Sequence, residues 1–227
     1  MPRSRPDLPR RALAEYCGTA FLVAVVVGSG IAASRLSPDD VGLQLLENAA
    51  ATAGGLVALI LAFGPISGAH LNPVVSIADC FLGGIDRSDL PAYIGAQVAG
   101  AVTGSIVANL MFELDAVSWS THARSTHGLL LGEVAATLGL LIVIFGVVRS
   151  GRSSAAPYAV GAYIGSAYFF TSSTSFANPA VTIGRAFSDT FAGIDPSSVP
   201  AFVACQLVGM ALAVILVRTL HPVTVAP

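Results

Sequence analysis

Two Asn-Pro pairs, Asn72-Pro73 and Asn178-Pro179, each stand directly before a short apolar run. Asn is a favoured helix N-cap and Pro is favoured at the first helical position, so each pair predicts the start of a helix. When the Asn side-chain oxygen caps backbone N–H groups, its NH2 group points outward as a hydrogen-bond donor. A single pair favours a surface turn, but two pairs at matching places favour two helix starts.

The composition of the chain is unusually apolar, with 54% hydrophobic and 11% charged residues and a mean hydropathy of +0.77. An ordinary soluble domain carries roughly 25% charged residues, so this composition predicts a membrane protein and excludes a disordered chain. The net charge of −2 supplies no basic field for a nucleic-acid partner. All eleven basic residues are Arg, which excludes Walker-type phosphate loops and lysine-dependent catalysis.

Six apolar stretches are long enough to predict membrane-spanning helices: 12–33, 43–64, 91–112, 128–148, 155–171 and 200–220. The first follows a basic start, as in a signal peptide, but it is too long for one and is predicted to stay as a span. Two shorter segments, 72–82 and 178–188, begin at the Asn-Pro pairs and are predicted to be re-entrant half-helices. The predicted fold is therefore all-α and transmembrane, with six spanning helices and two half-helices.

The chain repeats itself, which predicts one membrane domain over 1–227 with internal repeats at about 12–112 and 128–220. The matching residues are Glu15 and Thr19 with Glu133 and Thr137, and Pro91, Gln97 and Gly100 with Pro200, Gln206 and Gly209. Each half has three spans, so the second half enters from the opposite side as an inverted repeat. The two half-helices should then meet near the midplane from opposite faces.

The distribution of arginines predicts that both termini are cytoplasmic. This orientation places eight arginines inside, namely Arg3, Arg5, Arg10, Arg11, Arg87, Arg149, Arg152 and Arg218, and three outside, namely Arg35, Arg124 and Arg185.

A free helix N-terminus inside a bilayer is tolerated only where it lines a wet cavity, because its backbone donors have no other partner. The two half-helix starts should therefore mark an aqueous path. Each N-terminus carries about +0.5 of an elementary charge, so the centre of the path should repel cations, including protons, and accept neutral solutes with oxygen lone pairs.

The other reactive residues give no sign of a cofactor or metal site. Cys17, Cys80 and Cys205 lie in apolar or small-residue surroundings and are interpreted as packing residues. His70 has no His, Cys or Asp at ligand spacing, so it is interpreted as a residue of the loop before the first half-helix, with its backbone carbonyl facing the pore. No cofactor and no metal are expected.

The sequence resembles the aquaporin and aquaglyceroporin family, also called the major intrinsic protein family, over about residues 12–220. The resemblance rests on Ser67-Gly68-Ala69-His70-Leu71-Asn72-Pro73-Val74, on Ser175-Phe176-Ala177-Asn178-Pro179-Ala180, on the start at Glu15, and on Gln97 and Gln206. It implies a pore in each subunit of a homotetramer. It also implies that Glu15 and Glu133 support the pore loops, which we favour over a proton relay.

Two positions depart from the family pattern. Val74 stands where the family usually has Ala, and Val181 stands where an Arg of the outer filter normally follows the second motif. Arg185 lies one helical turn further on and is interpreted as a structural or loop contact. Carried over from the family by ungapped spacing from the motifs, the filter positions are Thr52, Ser166, Ser175 and Val181, so the resemblance implies a wide, arginine-free filter.

A filter without this Arg resembles that of channels encoded with bacterial arsenic-resistance genes. The resemblance implies a passive channel of the bacterial inner membrane for neutral metalloid hydroxides such as arsenite, for methylated arsenicals, for glycerol or urea, and for water. The alternatives are a water-selective aquaporin and a secondary transporter, since transporters also use inverted repeats and broken helices. An intramembrane enzyme is disfavoured because no span contains a His that could act as a general base.

Overall fold

The computed structural model describes residues 6–222, which are all-helical with connecting loops and contain no strand. The predicted Arg3 and Arg5 of the basic start lie outside the described residues. Six long helices and two half-helices follow one another in the predicted order: α1 Leu8–Leu36, α2 Val41–Ser67, half-helix α3 Pro73–Leu82, α4 Leu90–Met111, α5 His127–Arg149, α6 Ala156–Phe170, half-helix α7 Pro179–Arg185 and α8 Val199–Leu220. This order confirms the predicted fold class.

Five helices of the described region, α1, α2, α4, α5 and α8, are long and apolar enough to cross a membrane. The sixth predicted span, α6, has 15 residues and is about 22 Å long at 1.5 Å per residue. A short 3-10 turn, Ser153–Ala155, extends it at its start. At Thr171 the backbone becomes extended and leads into the loop before α7, so the pore loop sets the end of this span.

The second half-helix is shorter than predicted. It ends at Arg185, whereas the apolar pattern predicted an end at 188. The N–H groups of Ala186 and Phe187 donate to the carbonyls of Ile183 and Gly184, and such i to i+3 bonds close the last turn of a helix.

Close helix crossings hold the two halves in matching ways. A Cβ atom at Gly100 of α4 would lie 2.3 Å from the carbonyl oxygen of Tyr16 in α1, and one at Gly104 would lie 2.1 Å from that of Ala20. In the second half, a Cβ at Gly209 of α8 would lie 2.6 Å from the carbonyl oxygen of Val134 in α5. These glycines allow backbone contact between the helices.

The half-helices are packed inside the bundle. Val74, Val75 and Ala78 of α3 lie in an apolar cluster with residues of α5 and α8. The α7 helix lies against α4, where a Cβ at Gly184 would meet the carbonyl oxygen of Ala101 at 2.8 Å. This packing fixes both Asn-Pro starts at the centre of the molecule.

Candidate pore

The two Asn-Pro motifs meet at the centre of the protein, and every motif residue is buried: Asn72, Pro73, Val74, Asn178, Pro179 and Ala180. The side-chain oxygen of Asn72 accepts the N–H of Val74 at 3.0 Å, and that of Asn178 accepts the N–H groups of Ala180 and Val181 at 3.0 and 3.2 Å. Both Asn residues are therefore helix caps, as the sequence predicted.

The outward amide groups bind the opposite loop. Nδ2 of Asn72 donates to the carbonyl of Ala177, and Nδ2 of Asn178 donates to the carbonyl of Leu71, both at 2.8 Å. An amide NH2 has two N–H groups, so each cross-bond leaves one donor. Both Asn residues line the central cavity, where this donor is available to a solute.

Glu15 holds the loop before α3 from inside the bundle. Its Oε1 accepts the N–H of His70 at 3.0 Å and its Oε2 accepts that of Leu71 at 2.6 Å. Gln97 donates to the same Oε2 at 2.8 Å. The loop residues Ala69 and Leu71 have positive φ angles of 47° and 50°, a costly conformation for residues with a Cβ, and the buried carboxylate stabilises it.

Glu133 repeats this arrangement for the loop before α7. Its Oε1 and Oε2 accept the N–H groups of Phe176 and Ala177, both at 2.9 Å, and Gln206 donates to Oε2 at 2.6 Å. Ser175 and Ala177 have positive φ angles of 52° and 47°, at the positions that correspond to Ala69 and Leu71. The contacts of both carboxylates are those of loop supports.

A cavity of about 190 Å³ runs past the two Asn residues. The part of its lining that includes α7, here called the α7 end, contains Thr52, Tyr168, Ser175, Phe176, Val181 and Arg185. The part beside the α3 half-helix, here called the α3 end, contains Gly68, Ala69, His70, Val75, Asp79 and Phe145. The remaining lining is mostly aliphatic.

The structure brings three of the four predicted filter residues together. Thr52, Ser175 and Val181 are buried and line the cavity. The Ser175 hydroxyl has no hydrogen-bond partner among the described residues.

The prediction that Ser166 belongs to the filter is wrong. It is exposed and donates to the carbonyl of Ala162 within α6. The cavity is lined instead by Val160, Ile164 and Tyr168, which share one face of α6 at helical spacing. Ser166 lies two residues from both Ile164 and Tyr168 and therefore on another face of the helix. Tyr168 contributes a hydroxyl that bonds Thr52 Oγ1 at 3.0 Å.

Arg185, which is not one of the four predicted filter residues, belongs to the lining of the cavity. It is 3% exposed and lines the cavity together with Val181. The loop contact that was predicted is present, because Nε donates to the carbonyl of Ala192. Its Cζ atom also lies 3.4 Å from the ring centroid of Phe176.

His70 lines the α3 end of the cavity, and its ring contacts two residues of the α3 half-helix. Nδ1 lies 3.0 Å from Ser76 Oγ, and Nε2 lies 3.5 Å from Asp79 Oδ2. The residues from 6 to 222 contain no group of three or more His, Cys, Asp or Glu side chains that could hold a metal ion.

Comparisons with known proteins agree with this geometry. The family model described as "Major intrinsic protein" matches residues 3–177. The chain is 47% identical to aquaglyceroporin AqpS of Rhizobium meliloti over 214 residues, which cover 94% of this chain and 91% of that protein. It is 31% identical over 200 residues to aquaporin NIP2-1 of Oryza sativa, covering 83% of this chain and 64% of the relative.

A solved structure shows the same fold. The aquaglyceroporin of Plasmodium falciparum superposes with a TM-score of 0.76 at 21% sequence identity, covering 96% of this chain and 98% of that one. Together with the paired Asn-Pro half-helices, the family match over most of the sequence shows that the chain belongs to the major intrinsic protein family.

Proposed function

We propose that this multi-pass membrane channel is a passive pore for small neutral solutes: glycerol and urea, metalloid hydroxides such as arsenite, methylated arsenicals, and water. The observation that carries the proposal is the pair of capped half-helices whose Asn72 and Asn178 amides meet beside the cavity. The meeting point offers hydrogen-bond donors to passing oxygen atoms, and the two helix N-termini repel cations.

The residues that line the α7 end support the passage of solutes bulkier than water. Thr52, Tyr168 and Ser175 supply hydroxyl groups to the lining, and Val181 supplies an apolar wall. Pore width and lining donors set selectivity in such channels. A solute with several hydroxyl groups, such as glycerol or the uncharged arsenite As(OH)3, matches a lining of this kind.

Two further observations support this solute class. The relative AqpS is named an aquaglyceroporin, so a glycerol-type pore is the nearest precedent among the relatives described above. The Asn72-Pro73-Val74 motif and the Val181 that follows the second motif resemble the corresponding motifs of channels encoded with arsenic-resistance genes.

The setting of the pore completes the proposal. The chain acts as a homotetramer in a bacterial inner membrane, with both termini in the cytoplasm and the α7 end of the cavity outside. The large apolar side chains exposed on the helices, such as Leu13, Phe21, Leu61 and Ile215, support contact with lipid or with neighbouring subunits.

A solute panel in proteoliposomes tests the proposal. Stopped-flow measurements compare water, glycerol, urea, arsenite and a methylated arsenical in vesicles with and without the protein. We expect glycerol and arsenite flux well above that of empty vesicles. Flux of water alone would identify a water-selective aquaporin and overturn the proposal.

A further inference from the structure

We propose that Arg185 supplies the positive charge and the guanidinium donors of the outer constriction, from one helical turn beyond the position where Val181 stands. The outer constriction is the ring of Thr52, Tyr168, Ser175 and Val181 at the α7 end of the cavity. The inference rests on the proposed function, because it assigns a cation barrier to the same pore.

The direction of the side chain makes this geometry possible. Side chains of an α-helix point back toward its N-terminus and cover the preceding turn. Arg185 is the last residue of α7, so its long side chain returns along the helix toward the turn that contains Val181. Both residues line the same cavity. The guanidinium of Arg185 therefore reaches the part of the pore that Val181 lines, where the short Val side chain leaves room for it.

The contacts of Arg185 leave most of its donors available. Nε binds the carbonyl of Ala192, and the guanidinium lies over the Phe176 ring. Within the described part of the chain no hydrogen-bond acceptor is recorded for its two Nη groups. A guanidinium has five N–H donors, so four remain for a solute or for water.

The Glu133 carboxylate interacts with the charge of Arg185, but only at longer range than an ion pair. No acidic side chain among residues 6–222 lies within ion-pair distance of it. A second cation, Arg124, has its Cζ 5.1 Å from the centroid of the same Phe176 ring and donates from Nε to Gly193. Burial lowers the pKa of Arg124 from its ordinary value. Two guanidinium groups thus lie on one ring at the mouth of the pore.

The internal repeat supports this use of the position. The offset that relates Asn72 to Asn178 also relates Asp79 to Arg185. In each half the side chain returns to the residue two before the Asn, since Asp79 Oδ2 lies 3.5 Å from His70 Nε2 and Arg185 lies over Phe176. The fold therefore places this position against the pore loop in both halves.

The test measures proton leak and glycerol flux in the same proteoliposomes. Protons are driven by a potassium diffusion potential and followed by a trapped pH-sensitive dye. We expect Arg185→Gln and Arg185→Met to raise proton influx about tenfold or more, because a nearby unit charge in protein of intermediate dielectric is removed. Glycerol flux should change, because Arg185 lines the cavity, but it should stay above that of empty vesicles. Arg185→Lys should keep proton influx low.

Arg35 provides a matched control. It also donates to one backbone carbonyl, that of Phe112, and lies over an aromatic ring, but it does not line the cavity. Arg35→Gln should leave proton influx at the wild-type level. A neutral variant at 185 that conducts glycerol with unchanged proton influx would overturn the inference.

Other outcomes also decide the question. Loss of glycerol flux in both neutral variants but not in Arg185→Lys would show a structural role and overturn the inference as well. Wild-type vesicles without solute flux would instead refute the proposed function.

Discussion

Asn72 and Asn178 are bound to each other's loops by two reciprocal hydrogen bonds. Asn72 Nδ2 donates to the carbonyl of the residue before Asn178, and Asn178 Nδ2 donates to the carbonyl of the residue before Asn72, both at 2.8 Å. Each Asn amide thus caps its own half-helix with its oxygen and binds the opposite loop with one N–H. Its second N–H remains as a donor beside the cavity. This exchange requires the two helix starts to face each other, which is the arrangement that the predicted inverted repeat expects.

Glu133→Gln separates the support role from a proton relay. The neutral amide keeps the size of the side chain but weakens the bonds from Phe176 and Ala177. Bonds to charged groups contribute about 1.5–3 kcal/mol each, so we expect a lower melting temperature in detergent. A relay would instead leave the melting temperature unchanged and abolish a gradient-dependent flux. Glu15→Gln, at the corresponding position, should behave in the same way as Glu133→Gln.

Tyr168→Phe and Ser166→Ala distinguish the two faces of α6. Tyr168→Phe removes the hydroxyl that bonds Thr52 and should change the ratio of glycerol to water flux. Ser166→Ala, on the face away from the cavity, should leave that ratio at the wild-type value. If only Ser166→Ala changed the ratio of glycerol to water flux, Ser166 would belong to the filter as its spacing from Asn178 predicted.

Val181→Arg should narrow the outer constriction and add a further guanidinium near those of Arg185 and Arg124. Flux of glycerol and arsenite should fall because both width and apolar wall are lost. The matched variant Val181→Ala should keep or increase the flux. Unchanged stopped-flow rates in Val181→Arg would show that this residue is not in the constriction.

Gly100→Ala tests the helix crossing that holds α4 against α1. Its Cβ would lie 2.3 Å from the Tyr16 carbonyl oxygen, so the helices must separate and the melting temperature should fall. Gly95→Ala on the same helix is the control, since no atom of another helix lies within 4 Å of the position of its Cβ. That change should stabilise by up to about 1 kcal/mol through helix propensity. Equal melting temperatures for the two variants would contradict the crossing.

The sequence predicts those elements whose local residue pattern is compatible with only one structure. The Asn-Pro caps, the repeated Glu and Gln residues and the apolar spans all follow from capping, repetition and hydropathy. The loop-supporting role of each Glu was implied by the family resemblance, and the bonds from His70 and Phe176 agree with it.

Tyr168 and Arg185 show where sequence reasoning stopped. Counting residues from Asn178 leads to Ser166, which is not a lining residue. The count fails because it does not determine which face of α6 reaches the cavity. The spacing of Val160, Ile164 and Tyr168 was a signal for the correct face. Arg185 was assigned only a loop contact, although the backward direction of helical side chains places it over the preceding turn.

The most direct test of the central claim is the dependence of wild-type glycerol flux on concentration and on ion gradients in proteoliposomes. A pore formed by the two capped half-helices predicts flux that rises in proportion to the glycerol gradient and is unchanged by imposed proton or sodium gradients. Flux that saturates at modest glycerol concentration, or that requires either ion gradient, would contradict a passive pore and indicate a coupled transporter.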